Sequence, residues 1–247
     1  MRHLKRLPWT SLLLCVGAAS AYVLPAGSIL RRMGEARDEL PFASLKVDGG
    51  LTFTPLAAAQ AGALVSARSE PQLDAAILLK LPGRCRLEAS SPDGSHSAAI
   101  WSHGKKRSEG QPSAAMMVAL EQICPLLAVR SSSEADSRTS IERHVRSLKA
   151  DIRNASLARL GNQIAYVLGN PTEGQPQLWV YKDVFLPARV RWSETDGPWD
   201  IRFLDYGSPV TGEWFPRVFE LYRGGELVLR FTGFRADPKA QLSEKLF

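Results

Sequence analysis

The stretch that decides the fold runs from residue 177 to residue 207 and reads QLWVYKDVFLPARVRWSETDGPWDIRFLDYG. Within it, short runs rich in aromatic and β-branched residues alternate with turn residues, which is typical of strands joined by tight turns. Trp199, Ile201 and Phe203 share one face of such a strand, because successive side chains alternate along extended backbone. The last third of the sequence therefore predicts an antiparallel meander without βαβ units.

The same alternation recurs near the start of the chain, where Leu45–Phe53 predicts a strand with one buried face. Leu56–Leu64 is ambiguous between strand and loop. The remaining predicted strands are Leu73–Leu81, Cys85–Ala89, Ser97–Ser102, Ser156–Leu168, Gln177–Lys182, Ala188–Ser193, Trp199–Tyr206, Phe215–Tyr222 and Leu227–Phe234.

Three helices are expected from apolar residues at helical spacing. They cover Leu24–Leu40, a stretch from a Ser113 cap to about Leu127, and about Glu134 to Lys149. Pro125 should kink or end the second helix. The predicted fold class is α+β: one curved antiparallel sheet of about nine to eleven strands with helices interposed.

Residues 1–21 have the pattern of a secretory signal peptide, with basic Arg2, Lys5 and Arg6 before an apolar run. Ala19-Ser20-Ala21 forms the cleavage site, and an uncleaved anchor is the alternative. Cys15 follows three leucines and lacks the small residue that bacterial lipidation needs, so we interpret it as part of the apolar run. One mature domain, residues 22–247, is expected.

Two cysteines, Cys85 and Cys124, remain after such cleavage. A pair of cysteines in an exported chain favours one disulfide. It would close a loop of about 40 residues and stabilise the fold by roughly 3–4 kcal/mol. Two buried free thiols are the alternative.

The sequence lacks the motifs of the common enzyme classes. It contains no nucleophile elbow, no phosphate-binding loop and no dinucleotide-binding glycine motif. His96, His103 and His144 do not have metal-ligand spacing. We therefore expect a protein that is not an enzyme and has neither a metal nor a cofactor.

The net charge of the mature chain is small. The full chain has a formal net charge of +6, and cleavage of the signal peptide removes three basic residues and no acidic ones. The tight basic run Lys105-Lys106-Arg107 is interpreted as a solvated loop tip, with a phosphate or anionic-lipid contact as the alternative. Nucleic acid is not an expected partner, since its binding needs a clustered basic face.

Four stretches carry a resemblance to a known family: Gln177–Asp183, Phe185–Val190, Trp199–Tyr206 and Gly212–Pro216. They resemble the strands and strand entries of the periplasmic lipoprotein carriers of the LolA/LolB-like superfamily. A helix followed by Lys46-Val47-Asp48-Gly49 near the start of the chain is similar as well. The resemblance covers about 90 residues well.

This resemblance implies an incomplete antiparallel β-barrel whose helices form a lid over an apolar cavity. It implies a periplasmic carrier of acyl chains of lipoproteins or lipids, working with inner- and outer-membrane lipoprotein-sorting components, with outer-membrane association as a variant. The predicted cavity-lining residues are Val47, Leu51, Phe53, Leu79, Met116, Leu120, Trp179, Trp199, Ile201, Phe203, Phe219, Leu229 and Phe231. The alternative is a non-catalytic cell-envelope interaction module that has the same fold and a filled core.

Overall fold

A computed structural model describes residues 23–54, 72–195 and 197–247. The predicted signal peptide and the ambiguous stretch 56–64 lie outside the described residues. The three helices are α1 (Ala26–Asp38), α2 (Ala114–Leu127) and α3 (Ser137–Ser147). None of them is long and apolar enough to cross a membrane.

The strands number twelve in the described ranges, and a short 3₁₀ helix at Glu244–Leu246 follows the last one. The strands are β1 (Ser44–Phe53), β2 (Gln72–Lys80), β3 (Arg84–Ser90), β4 (His96–Ser102), β5 (Lys105–Glu109), β6 (Ala155–Leu160), β7 (Gln163–Gly169), β8 (Gln177–Tyr181), β9 (Pro187–Glu194), β10 (Gly197–Leu204), β11 (Val218–Arg223) and β12 (Glu226–Asp237).

These strands form one sheet in the order β5-β4-β3-β2-β1-β12-β11-β10-β9-β8-β7-β6, and every neighbouring pair is antiparallel. The sheet therefore consists of two meanders, β1–β5 and β6–β12, that meet where β1 pairs with β12. Its edges are β5 and β6, which are not paired with each other. The predicted incomplete antiparallel barrel is confirmed as a curved sheet that does not close.

The β1–β12 seam requires close approach of the two backbones. Gly49 lies opposite Gly233, beside a break in the register after Asp48. A Cβ atom on Gly49 would collide with the ring of Phe231 and the carbonyl oxygen of Thr232. Glycine in a strand interior often marks such a site, and here it lets the first and last strands pair.

The predicted number of strands was too low, for two reasons. The single strand expected at Ser156–Leu168 is a hairpin, β6 and β7, that turns at Gly161, whose φ is +58°. The basic run at residues 105–107, interpreted as a loop tip, lies in β5. All five side chains of β5 are exposed, so this strand has no buried face that would produce an alternating pattern.

The helices were predicted within a few residues of their bounds. Ser113 caps α2, because its side-chain oxygen accepts a hydrogen bond from the backbone N–H of Met116 at 3.3 Å. Pro125 does not end α2, which continues to Leu127. Nine of the 14 residues of α2 are buried, as expected for a helix that is apolar on most of its surface.

A disulfide joins Cys85 in β3 to Cys124 in α2, with their Cα atoms 5.7 Å apart. The predicted bridge is therefore confirmed, and it fixes α2 against the sheet. A second link joins the helices to each other, since the His144 ring Nε2 in α3 lies 3.0 Å from the side-chain oxygen of Gln122 in α2. Burial lowers the pKa of His144 to about 4.

Removing the disulfide should destabilise the fold without changing its topology. The bridge closes a loop between residues 39 positions apart, so the double variant Cys85→Ala/Cys124→Ala should lose about 4 kcal/mol of unfolding free energy. Urea unfolding of the oxidised wild type and the variant measures the difference. A loss below about 1 kcal/mol would contradict a stabilising role for the bridge.

His144 should make the protein sensitive to mild acid. Its folded pKa lies below the unfolded value, so below pH 6.5 the unfolded chain takes up a proton that the folded chain does not. Stability is therefore lost as the pH falls from 6.5 towards 4. Between pH 7 and pH 5 the wild type should lose about 2 kcal/mol more than His144→Gln. Urea unfolding at both pH values measures this, with His96→Gln as the control; equal losses in all three proteins would refute it.

Candidate functional site

Twelve of the thirteen predicted cavity-lining residues lie together in one buried core. This core lies between the inner face of the sheet and the helices. The sheet contributes Val47, Leu51, Phe53, Leu79, Trp199, Ile201, Phe203, Phe219, Leu229 and Phe231, and α2 contributes Met116 and Leu120. These residues therefore share one side of the sheet, and their role in lining a cavity stays a prediction.

Trp179, the thirteenth residue of the predicted set, does not belong to this group and packs instead against a second small cluster with Ala165, Tyr181 and Ala188. Its neighbours Leu178 and Val180 are buried in the core, so Trp179 points to the outer face of β8. There its ring N–H donates to the side-chain oxygen of Gln177 at 2.8 Å, and the guanidinium of Arg189 lies 5.1 Å from the ring centroid. Strand parity alone would have shown this.

The core is dense and aromatic along the C-terminal meander. Phe219 stacks on Phe231 with ring centroids 5.0 Å apart, and Trp192 stacks on Trp199 at 6.1 Å. Apolar side chains of α1 pack into the same core: Ile29, Leu30 and Met33 are each 1% exposed or less. The apolar face of α1 is thus part of the core that lies against the sheet.

Arg37 is the functional candidate that the sequence reasoning missed. It follows Leu30 by seven positions and Met33 by four, and therefore falls on the apolar face of α1. Its side chain is 1% exposed. One terminal nitrogen, Nη2, donates to the backbone carbonyl of Trp214 at 2.9 Å. The other two nitrogens, Nε and Nη1, have no hydrogen-bond partner among the described residues.

Arg37 is a buried cation, and no carboxylate lies within ion-pair distance of it in the described part of the chain. Burial lowers the pKa of Arg37 to about 10; the nearby Tyr206 phenol opposes this shift, and the charge of Arg130 adds to it. Burial also raises the pKa of Tyr206 well above its usual value, so Tyr206 is neutral at neutral pH and its hydroxyl donates to the carbonyl of Pro187. Holding Arg37 charged in this position costs on the order of 3 kcal/mol.

Polar contacts hold the C-terminal end of α1 in place. Asp38 accepts hydrogen bonds from the backbone N–H and hydroxyl of Ser131, both at 2.7 Å, and from the hydroxyl of Ser137. Partial burial raises the pKa of Asp38, but these hydrogen bonds outweigh it and the net shift is downward. Arg130 donates to the carbonyl oxygens of Leu40 and Phe42. These contacts tie the end of α1 to the segment between α2 and α3 and to the first residue of α3.

The described ranges contain no cluster of three or more histidine, cysteine or acidic side chains that could hold a metal ion. What the site offers is an apolar interior, a helix packed into it and one buried, incompletely bonded cation. These features suit the binding of an apolar group by displacement of side chains.

Comparison with known proteins gives a likeness of fold. No family model matches the chain, and no curated protein is similar to it. A LolA superfamily protein from Nitrosomonas europaea superimposes with a TM-score of 0.48 and 14% identity, covering 91% of this chain and 97% of that one. A DUF1329 family protein from Desulfovibrio piger gives 0.42 and 10%, covering 89% and 94%. For MucB the values are 0.33 and 15%, covering 89% of this chain and 61% of that one. The solved structures that this chain is similar to thus include a LolA superfamily protein, the family that its sequence resembles.

Proposed function

We propose that this protein is a periplasmic carrier that binds the acyl chains of lipidated proteins or lipids between its sheet and its helices. The observation that carries the proposal is the way the apolar inner face is covered. The sheet stops at β5 and β6 without closing, so three helices, not further strands, shield the core from water. A helical cover can move away while the hydrogen-bonded sheet stays intact.

The need for such a cover follows from the chemistry of the cargo. Each CH₂ group exposed to water costs roughly 0.8 kcal/mol, so an acyl chain of about fifteen carbons costs on the order of 12 kcal/mol when bare. A carrier has to bury most of that surface. The aromatic inner face of β9–β12 belongs to the same core as the apolar side chains of α1, and it offers a matching apolar surface once helical side chains leave that core.

Within the cover, α1 is the helix that we expect to move. Its neighbour α2 is bonded covalently to β3. By contrast, α1 packs against α3 with the backbone of Arg138 close to Gly34, and it holds the buried Arg37. An uncompensated buried charge destabilises the closed arrangement and so lowers the free energy needed to open it.

Transport is proposed to begin with export by the cleavable N-terminal segment. The acyl chain would be received from components of the inner membrane and passed to components of the outer membrane. The binding site itself needs no cofactor or metal, and no nucleic acid takes part.

A second function is favoured by one observation. All twelve inner-face residues named above are already buried against one another and against α1. A core filled in this way also suits a non-catalytic interaction module of the cell envelope that carries nothing.

The two functions differ in whether the protein takes up lipid. The protein is purified from its native periplasm without detergent, and its organic extract is examined by mass spectrometry. A stoichiometric lipid or acylated peptide is the expected result. An extract without lipid, from a protein that also fails to take up an apolar dye displaceable by fatty acid, would favour the interaction module instead.

The role of α1 can be tested by replacing Arg37. The variant Arg37→Met removes the buried charge and also one hydrogen bond. The desolvation cost that is relieved exceeds the hydrogen-bond energy that is lost by about 1 kcal/mol, so the state with α1 packed in the core becomes more stable. Binding of the apolar dye, measured by fluorescence titration, should weaken about fivefold. The matched control is Arg31→Met, because Arg31 is exposed on the same helix and paired with Glu35. Equal affinities of the two variants would show that α1 does not control entry.

A further inference from the structure

A cleft of about 730 Å³ opens outside the apolar core, at one end of the sheet. It lies where the β2–β3 and β4–β5 turns meet the C-terminal end of α2 and one side of α3. Pro82, Trp101 and Pro125 are among its apolar lining residues. A volume of this size is in the range of sites for small organic molecules.

The walls of this cleft are held by backbone hydrogen bonds and one covalent bond. The N–H of Gly83 donates to the carbonyl of Ala128 at 2.7 Å, and the N–H of His103 donates to the carbonyl of Gly83 at 3.0 Å. Cys124, which also lines the cleft, is bonded to β3. The two turns and α2 therefore form a preorganised site, which reduces the entropic cost of binding a ligand.

The charges that line the cleft favour an anion. Arg130 and Arg143 contribute two positive charges, and Glu134 contributes one negative charge. Arg130 is already bonded to two backbone carbonyls. Arg143 is exposed and has no carboxylate within ion-pair distance in residues 23–54, 72–195 and 197–247.

The other arginines of α3 differ from Arg143. Arg138 and Arg146 both lie within 4 Å of Glu142, at 3.9 Å and 2.8 Å, and neither lines the cleft. Arg143 is therefore the cation on this helix that is both directed to the cleft and available to a ligand.

Neutral hydrogen-bonding groups surround this cation. Ser132, Ser133, Ser140, Ser147, His103 and His144 line the cleft. The Ser132 hydroxyl donates to the carbonyl of Ala135, the Ser147 hydroxyl to the carbonyl of His144, and the His144 ring pairs with the side-chain oxygen of Gln122. The hydroxyls of Ser133 and Ser140 and the ring of His103 are the donors left for a ligand. A carboxylate has two oxygens, whereas a phosphate presents three or four acceptor oxygens to several donors at once. The number of potential donors beside Arg143 thus favours a phosphate.

We propose that this cleft binds a phosphate group attached to an apolar body, with Arg143 pairing with the phosphate and Trp101 contacting the apolar part. The group belongs either to a soluble phosphate ester or to a phospholipid headgroup at a membrane surface. The site is separate from the interior between the sheet and the helices, so this proposal does not rest on acyl-chain binding there.

The test uses the full disulfide-bonded chain and phenyl phosphate as the soluble probe, measured by isothermal titration calorimetry. Binding by the wild type should weaken about tenfold in Arg143→Gln and less than twofold in the matched control Arg146→Gln. Benzoate should bind more weakly than phenyl phosphate. Benzoate binding of equal strength would overturn the choice of phosphate.

Vesicles distinguish the two sources of the phosphate. The group is a lipid headgroup if phenyl phosphate does not bind but the protein co-sediments with phosphatidylglycerol vesicles. In that case the wild type and Arg146→Gln should co-sediment with the vesicles, whereas Arg143→Gln should not. Phosphatidylcholine vesicles serve as the net-neutral comparison. Failure of the wild type to bind either probe, or equal weakening by both variants, would overturn the proposal.

Discussion

The pairing of β1 with β12 is the interaction on which the rest of this structure depends. Each of the two meanders, β1–β5 and β6–β12, is built from local hairpins, but only the β1–β12 seam makes them one sheet. The seam requires a glycine at residue 49, since a side chain there would meet Phe231 and the backbone of β12. Once the seam is formed, the two edges of the sheet are β5 and β6, and the chain between them has to cross the inner face. The helices α2 and α3 make that crossing.

The helical cover is thus a consequence of the topology. Two of its helices, α1 and α2, are attached to the rest of the protein in different ways. The disulfide fixes α2 to the sheet, whereas α1 depends on side-chain packing and on polar contacts at its C-terminal end. Arg37 is the weak point of that packing, because two of its nitrogens are buried without partners. For the proposed carrier, this difference would let α1 move while α2 stays in place, so that an apolar group could be bound and released.

Much of this fold could be predicted from the sequence, because its elements carry strong local signals. Alternating apolar residues identified ten strand regions, Ser113 marked the start of α2, and two cysteines indicated the bridge.

The features that the sequence did not predict have physical reasons. An exposed strand such as β5 has no buried face and hence no period, and the turn at Gly161 joins two strands of similar composition. Trp179 was grouped with the predicted cavity residues, although its parity with Leu178 and Val180 places it on the other face of β8. Arg37 was missed since a cation on an apolar helix face is normally exposed, and the cleft beside Trp101 depends on turns and helix ends that meet only in three dimensions.

The position of the last strand has a consequence for how the chain is made. A ribosome delivers β12 after every other strand, yet β12 lies in the middle of the sheet and supplies the partner of β1. The N-terminal meander emerges early, but its first strand has one side unpaired until β12 has been made. Contacts between segments far apart in a chain form slowly, because a large loop has to close first. The complete sheet therefore cannot form before β12 has left the ribosome, and a chain handed to another machine before that point would lack the β1–β12 seam.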